Sequence, residues 1–478
     1  MPELILALDV GTTTARAAVV APDGAIAGLA STPLRTGVPG PGLAEQDAEA
    51  LWRAALRVMR GALASAGRAG TDLAAIGLTT QRASAVLWDR AAGHPASPVV
   101  LWSDLRGAGR AGELQKEGFF LAPQQPATKL EALARTSERR MADLAWGAAD
   151  SWILWKLTGG AAHATDRSQA WPTGYLGLAD LEWNRSLIER QGLSELAFPQ
   201  LVDTWGMIGR THRRWLGAEV PITADVADQQ SALIAHGETP GAAKISWGTS
   251  GTFDVATDGP VFGGLPGLPP LIVSSAAGQT RYCLEGMILS AGSALDWMRR
   301  AFALGSPERL SALAASAKDA GGVAFLPALQ GLGAPHGDAA RRGRLAGLAA
   351  GVERAHVARA AFEGLAFRAR EITERTQVAG ALSAETPLGV DGGLSRSPVF
   401  LQVLADLLAR PIKPLATPEA TLMGAAIAAT RGAALPGEVD TRRAIRPLLR
   451  LEPQLSADEA AARFAAWRAA VHPPAERG

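Results

Sequence analysis

A single cysteine, Cys283, stands in 478 residues. One thiol closes no disulfide within the chain and furnishes no cysteine-based metal site, and such scarcity fits a reducing compartment. Charge of one sign is missing as well: 47 Lys and Arg against 46 Asp and Glu leave a formal net charge of +1. Without an excess positive field nothing draws a polyphosphate backbone or an anionic membrane, so neither a nucleic-acid nor a membrane partner is expected, and a small molecule is. No apolar run reaches the roughly 18 residues of a membrane span. The amino terminus passes directly into a strand pattern, with no basic region or cleavage site, and a cytoplasmic location is expected. What the chain does have is core material. Hydrophobic residues make up 47% of it, and its length suits about three ordinary domain units or two large ones.

The stretch Leu6 to Val20, LALDVGTTTARAAVV, organises the rest. Leu6, Leu8 and Val10 set a strand, and Asp9-Val10-Gly11-Thr12-Thr13-Thr14 makes a corner that exposes backbone N–H groups and hydroxyls. Arg16 follows on the return strand. A glycine-hydroxyl hairpin of this kind can wrap a polyphosphate, with Asp9 facing the metal that the phosphate carries; alone, it reads equally as an ordinary surface hairpin. The signal returns at Ala243 to Ala256, AKISWGTSGTFDVA, where Ile245 and Trp247 lead into Gly248-Thr249-Ser250-Gly251-Thr252. Two such hairpins in corresponding places suggest a duplicated fold in which each half gives one jaw around a nucleotide. From Leu388, LGVDGGLSRSPVFLQVLADLL reads as strand, glycine pair and helix, with Ser397 as cap and Pro398 as the first helical residue.

Between these landmarks the pattern is α/β. Leu51, Ala55, Val58 and Leu63 recur at helical spacing behind Asp47 as a cap. Leu73 to Thr80 reads as a buried strand whose carboxyl end delivers Gln81 and Arg82, where ligand residues often sit in such sheets. In VVLWSDLR, Trp102 offers an apolar wall, and Asp104 with Arg106 makes a pair that would be worth under about 1 kcal/mol if exposed. Asp150 to Leu157 is apolar at helical spacing and reads as core. In ITADVADQQSALIAHG, Asp228 stands between a short strand and an apolar helix, so its carboxylate lies near a helix amino terminus; taken alone it caps that helix. Glu353 to Gln377 is a helix on which Gly364 allows close approach to a neighbouring helix or to a nucleotide. Arg341, Arg342 and Arg344 read as solvated charges. After Gly432 a charged loop and a short helix, 457–470, look like a solvated face.

In this order and spacing the motifs resemble the FGGY carbohydrate kinases, sugar and polyol kinases that share a fold with actin and hexokinase, from about Leu4 to about Gly432. The resemblance implies an α/β fold of two duplicated actin/ribonuclease-H-like domains with an interdomain nucleotide cleft. Residues 1–238 would form the N-terminal domain with the first phosphate hairpin and the substrate site, 239–432 the C-terminal domain with the second hairpin and the adenosine site, and 433–478 a loop and helix. It implies ATP and Mg²⁺. Gly11, Thr12, Thr13, Thr14, Arg16, Gly248 and Thr249 would face phosphate, Asp9 the metal, and Gly392, Gly393 and Ser397 the adenosine. Asp228 would be the general base, with Gln229, Gln81, Arg82, Trp102 and Asp104 around the substrate.

The activity so implied is ATP-dependent phosphorylation of a hydroxyl of a small polyol or ketose, in a chain for which the resemblance also suggests a homodimer. Thr165 and Asp166 match the family scaffold, and Thr421 to Ala429 matches the small-residue helix that packs between the domains. Three departures stand out. Ala83 replaces the Glu of glycerol kinases, Ala132 replaces an expected Trp three residues after Lys129, and Ser397 replaces a frequent Asn. The Trp-x-Asp-x-Arg pattern is more similar to xylulokinases. Ala83 and Ala132 also feed the rival reading, a catalytically altered nucleotide-binding regulatory protein of the same fold.

Overall fold

The alternating apolar runs form strands in the computed structural model, which describes residues 3–263, 265, 267–435 and 450–472. Twelve strands build the two large sheets: β1 (Leu4–Val10), β2 (Thr14–Val20), β3 (Ile26–Pro33), β4 (Leu73–Thr80), β5 (Trp205–Arg210), β6 (Pro221–Ala227), β7 (Ala243–Trp247), β8 (Gly251–Thr257), β9 (Pro270–Ala276), β10 (Gln279–Ile288), β11 (Leu388–Gly392) and β12 (Ile412–Pro414). The first sheet runs β5-β6-β4-β1-β2-β3 and the second β9-β10-β8-β7-β11-β12. Each contains the same device. β1 pairs antiparallel with β2 and parallel with β4; β7 pairs antiparallel with β8 and parallel with β11. Each hairpin turn therefore lies at the end where its parallel neighbour delivers the next residues, the end at which α/β sheets hold ligands.

The chain divides into two compact units. The first comprises Met1–Ala235, Leu271–Arg281 and Thr421–Ala444, and the second His236–Pro270, Tyr282–Ala420 and Ile445–Gly478. Most of each unit falls within the segments read from the sequence, and two later pieces, Leu271–Arg281 and Thr421–Ala444, group with the first unit. Thr204 and Ser275 exchange hydrogen bonds, Thr204 N to Ser275 O (2.7 Å) and Ser275 N to Thr204 Oγ1 (2.9 Å). The helix Ala420–Gly432, expected to pack between domains, lies almost wholly in the first unit. Ser231 Oγ donates to Thr421 O (2.7 Å) and Thr223 Oγ1 to Ala429 O (2.8 Å). Glycine makes the fit: a Cβ on Gly424 would stand 1.7 Å from Ser231 O.

In the first unit the helix Ala48–Ala66 starts where expected, with Asp47 accepting from Ala50 N, and it buries Leu51, Ala55, Val58 and Leu63 against β1 to β3. The helix Ala149–Thr158 buries Trp152, Ile153, Leu154 and Leu157, as its periodicity predicts, together with Asp150. In the second unit Gly364 corrects its expectation: a Cβ there would lie 2.4 Å from Phe325 O, so the close approach is to the strand Ala324–Leu326 and not to a helix. The helix Ala457–Val471 corrects an expectation. Its Ala460 is buried, its Phe464, Trp467 and Val471 join the core of the second unit, and Trp467 Nε1 donates to Phe325 O (3.0 Å). The charged loop expected before it lies, over 436–449, outside the described residues. No helix of the described residues is long and apolar enough to cross a membrane.

Candidate active site

β4 and β6 are parallel neighbours, Thr79 opposite Val226 and Thr80 opposite Ala227. Arg82 and Asp228 thus leave adjacent strands at the same end. Arg82 Nε lies 3.3 Å from Asp228 Oδ1, which also accepts from Gln229 N (2.8 Å). Both side chains remain reachable, at 14% and 24% exposure. The carboxylate expected to act as base is therefore held by a cation and a helix N–H group at the surface of the first unit. Gln229 beside it is half-buried.

The other residues expected on the acceptor side divide. Gln81 is buried and belongs to a closed ring: Thr12 Oγ1 donates to Gln81 Oε1 (3.0 Å), Gln81 Nε2 to Gln46 Oε1 (3.0 Å), and Gln46 Nε2 to Thr12 O (2.6 Å). Trp102 Nε1 donates to Thr12 Oγ1 (3.1 Å), so this indole fastens the first hairpin as well as offering its face. Gln46 was not singled out in the sequence; its only signal there is a place beside the Asp47 cap. Asp104, expected at the substrate, is fully buried. Its oxygens accept from Ala44 N (2.8 Å), Arg106 N (2.9 Å) and the Arg106 guanidinium, which also reaches Glu45. Burial pushes the Asp104 carboxyl up, but hydrogen bonds from the Arg106 side chain and from the Ala44 and Arg106 N–H groups outweigh it and hold the carboxyl below its ordinary range. Asp104 fixes the loop that carries Trp102, with its oxygens engaged inside the protein. Lys129 supports the same loop, donating to Leu101 O (2.9 Å), and burial brings its ammonium down to about 8.

Two of the three departures, Ala83 and Ala132, take different settings. Ala83 is buried with φ at 53°, in the left-handed region that favours glycine. Ala132 is exposed on the helix Leu130–Thr136.

Three carboxylates of the first unit, Asp150, Asp166 and Asp225, have no exposed surface. Asp166 is a helix cap, accepting from Ser168 N (3.1 Å), Ser168 Oγ (2.8 Å), Gln169 N (2.9 Å) and Thr204 Oγ1 (2.7 Å). Ser168 Oγ accepts from Ala227 N (2.9 Å), and Gln169 Nε2 donates to Thr80 Oγ1 (2.9 Å). The Ser168-Gln169 turn so ties together the two strand ends that deliver Arg82 and Asp228. Burial pushes the Asp166 carboxyl up to about 6 against those donors. Burial, then the charges of Asp150 and Asp166, push Asp225 well above the ordinary range. Asp225, Ser168 and Gln169 were not legible as a group, since they meet only through the fold.

In the first hairpin, Gly11 N donates to Thr14 O (3.1 Å) and is used in closing the turn. That leaves the N–H groups of Thr12 and Thr13, which have no protein acceptor among the described residues. Arg16 stands opposite Asp9 in the β1–β2 register. Asp9 is 7% exposed at the end of β1, and a Cβ on Gly11 would lie 4.0 Å from Asp9 Oδ1. The Asp9 carboxylate beside this turn is a hard oxygen donor, of the kind that suits Mg²⁺.

The second unit repeats the hairpin with other supports. Gly248 N closes the turn on Ser250 O (2.9 Å), while Ala291 N and Ser293 N donate to Thr249 O (3.0 and 3.1 Å). Lys244 and Asp254, opposite each other on β7 and β8, form a fully buried ion pair (2.8 Å). Gly392 has φ at 84°, and a Cβ on it would stand 2.4 Å from Trp247 O, so only glycine fits there; Gly393 meets no such limit. Ser397 caps the helix Pro398–Leu408, accepting from Phe400 N (3.2 Å) and hydrogen-bonding Ser311 Oγ (3.0 Å), so its hydroxyl is engaged within the unit. Behind the glycine pair, buried His236 bonds Asp391 (2.7 Å), a contact not anticipated from sequence.

Comparison with known proteins agrees with this geometry. Residues 4–235 match the N-terminal domain, and residues 243–433 the C-terminal domain, of the FGGY family of carbohydrate kinases. The glycerol kinase of Alkalilimnicola ehrlichii is 36% identical over 486 residues, covering 98% of each chain. That of Gloeobacter violaceus is 37% identical, covering 98% of this chain and 96% of its own. Among solved structures, a glycerol kinase of Plasmodium falciparum with ADP superposes with a TM-score of 0.87 at 22% identity, covering 98% and 97%, a likeness of fold. The xylulose kinase of Rhodospirillum rubrum gives 0.82 at 25% identity, covering 98% and 99%. Matched in both domains and along nearly its whole length, the chain belongs to the FGGY family of carbohydrate kinases, phosphotransferases built on this two-domain α/β fold.

Proposed function

We propose that the chain transfers the γ-phosphoryl group of ATP to a hydroxyl of a small polyol, with Asp228 as general base. The observation that carries the reading is the Arg82–Asp228–Gln229 constellation at adjacent strand ends. Phosphoryl transfer needs little covalent work from a protein; it needs a placed hydroxyl, a proton acceptor and compensation of phosphate charge. Asp228, oriented by Arg82 Nε and Gln229 N, would take the proton as the substrate oxygen attacks phosphorus. Arg82, Gln229 and the face of Trp102 would position the acceptor, with Gln81 acting through the ring that holds the first hairpin. The N–H groups of Thr12 and Thr13, with Thr14 and Arg16 in support, would meet phosphate oxygens. We assign Gly248 and Thr249 to phosphate as well, and the backbone at Gly392 and Gly393 to adenosine. Asp9 would hold Mg²⁺ through water, and the ion when bound would supply charge compensation to the phosphates.

A glycerol-like acceptor is favoured. Relatives above a third identical are glycerol kinases, and the Trp102-x-Asp104-x-Arg106 pattern, which pointed to a ketose, is engaged in building its own loop. A ketose is the second reading because Ala83 removes a carboxylate acceptor, and a substrate donor left unpaired costs roughly 1–3 kcal/mol. The regulatory alternative is not favoured, since Asp9, both hairpins and Asp228 are all present.

The test is ADP release with Mg-ATP across glycerol, erythritol, other alditols, pentuloses, hexuloses and gluconate, beside Asp228→Asn. The variant should still bind ATP and lose about 10²–10⁴-fold in turnover on the compound the parent prefers. Turnover near that of the parent would show that Asp228 is not the base.

A further inference from the structure

We propose that the second unit carries a transition-metal site of the zinc class formed by His336, Glu371 and His472, separate from the phosphoryl-transfer residues. The three come from different parts of that unit. His336 lies in the loop after Phe325, Glu371 in the helix Arg354–Val378, and His472 closes the helix Ala457–Val471. Their ligand atoms lie within 4.8 Å of one another. His336 Nε2 is 3.1 Å and His472 Nε2 3.7 Å from the same oxygen, Glu371 Oε1.

Zinc bonded tetrahedrally at about 2.0–2.1 Å sets its donors about 3.4 Å apart. The two separations from Glu371 bracket that value. The two imidazole nitrogens, within 4.8 Å of one another, would close by up to about 1.4 Å around an ion, leaving a fourth position for water.

The surroundings prepare the donors. Arg368 Nη1 pairs with Glu371 Oε2, which leaves Oε1 turned to the two imidazoles, and Arg368 Nη2 donates to Ala334 O near His336. A ligating carboxylate held in this way by its second oxygen is the usual outer support of a metal site. Arg341 donates to Val471 O and fixes the residue before His472, whose ring stands edge-on to Trp467 at 6.1 Å. Most telling is His472 Nε2 itself. It is withdrawn from water and has no hydrogen-bond partner among the described residues, with Glu371 Oε1 beyond hydrogen-bond reach. An unmade bond on a buried ring nitrogen is costly, and a cation would supply it. His336 and His472 keep 36% and 28% exposure, so an ion has a way in.

The donor set selects the metal. Two imidazoles and one carboxylate suit Zn²⁺, Co²⁺ or Ni²⁺ and not Mg²⁺ or Ca²⁺, which prefer all-oxygen shells. Arg368 and Arg341 add positive charge nearby and moderate the affinity, although Glu371 already balances the first of them. Binding would pin the Ala457–Val471 helix to the Arg354–Val378 helix inside the second unit.

The experiment uses the full chain without any affinity tag, stripped with chelator and titrated with Co²⁺, then with Zn²⁺. The parent should show one equivalent of Co²⁺ with the intense visible bands of a tetrahedral site, displaced by Zn²⁺. His336→Ala and the size-preserving His472→Gln should each weaken that binding by more than about tenfold. His94→Ala, on the exposed surface of the first unit, should bind as the parent does. Zinc should also raise the thermal midpoint of the parent and not of the two site variants, whose folding is checked by circular dichroism. Absence of saturable binding by the parent, or binding unchanged in both site variants, overturns the proposal.

Discussion

Replacing Lys129 by methionine isolates what a buried cation under the loop that carries Trp102 costs. Lys129 is 1% exposed, its Nζ donates to Leu101 O, and burial lowers its pKa from 10.5 to about 8 even though Asp104 works in the opposite direction. Between those two values the unfolded chain holds a proton that the native protein has released. Stability of the native state must therefore rise as pH rises from about 8 to 10.5, by roughly 3 kcal/mol at 1.36 kcal/mol per unit. Methionine keeps the volume and does not titrate, so the variant should lack this rise. It leaves the Leu101 carbonyl without its donor, at roughly 1–3 kcal/mol, which offsets most of the relief at pH 7. Parent and variant should thus be of similar stability at pH 7, with the parent ahead by about 3 kcal/mol near pH 10.5. Urea unfolding followed by fluorescence of the buried Trp88, Trp146 and Trp152 of the first unit, at steps from pH 7 to 10, gives the difference at each pH. Parallel stability curves would refute the assignment of a destabilised ammonium at this position.

Asp225 gives the opposite sign: burial and two neighbouring carboxylates keep it protonated in the native state, so between the ordinary carboxylate value and its raised one stability falls by about 1.4 kcal/mol per pH unit. Asp225→Asn should reduce that slope in urea titrations from pH 5 to 7, where Asp166 still contributes, and an unchanged slope would count against it. Gln46→Ala opens the ring joining the first hairpin to Gln81. It should raise the KM for ATP severalfold and lower stability by roughly 1–3 kcal/mol, and an unaltered KM would mean the ring does not govern the hairpin.

What could be read in advance was local. β4 coincides with Leu73–Thr80, and the caps at Asp47 and Ser397 are where the sequence puts them, because apolar period and cap chemistry are set within a few residues. Gln46, Ser168, Gln169 and Asp225 carry no such period. Their importance comes from partners 35 to 89 positions away in the chain, which only the parallel pairing of β1, β4 and β6 brings together. The helix Ala457–Val471 was misjudged for another reason. Its alanines and arginines dominate the composition, yet Ala460, Phe464, Trp467 and Val471 recur every three or four residues and make a narrow apolar stripe. Trp102, Asp104 and Arg106 show the limit of a motif. Their spacing suggested a ligand wall, whereas burial and saturated hydrogen bonds make Asp104 a part of the loop.

The two hairpins repeat one topology and are secured by different chemistry. The first is fastened by side-chain amides and an indole: Gln46, Gln81 and Trp102 converge on Thr12. The second is fastened by backbone lying on backbone, with Gly292 N donating to Gly248 O and Gly392 so near Trp247 O that a Cβ is excluded. Amide and indole contacts can be weakened one hydrogen bond at a time, each worth about 1 kcal/mol, while the rest of the turn persists. A methyl group at Gly292 or Gly392 would instead collide with a carbonyl oxygen at 2.6 or 2.4 Å and force strands to shift. Duplication therefore conserved where each turn stands, at the carboxyl end of a strand with a parallel neighbour, and left open how it is held. The side-chain-held turn is the one on the unit that carries Asp228. Adjustment of the first turn can accordingly come from single amide substitutions, whereas the second hairpin admits change only where its glycines are kept.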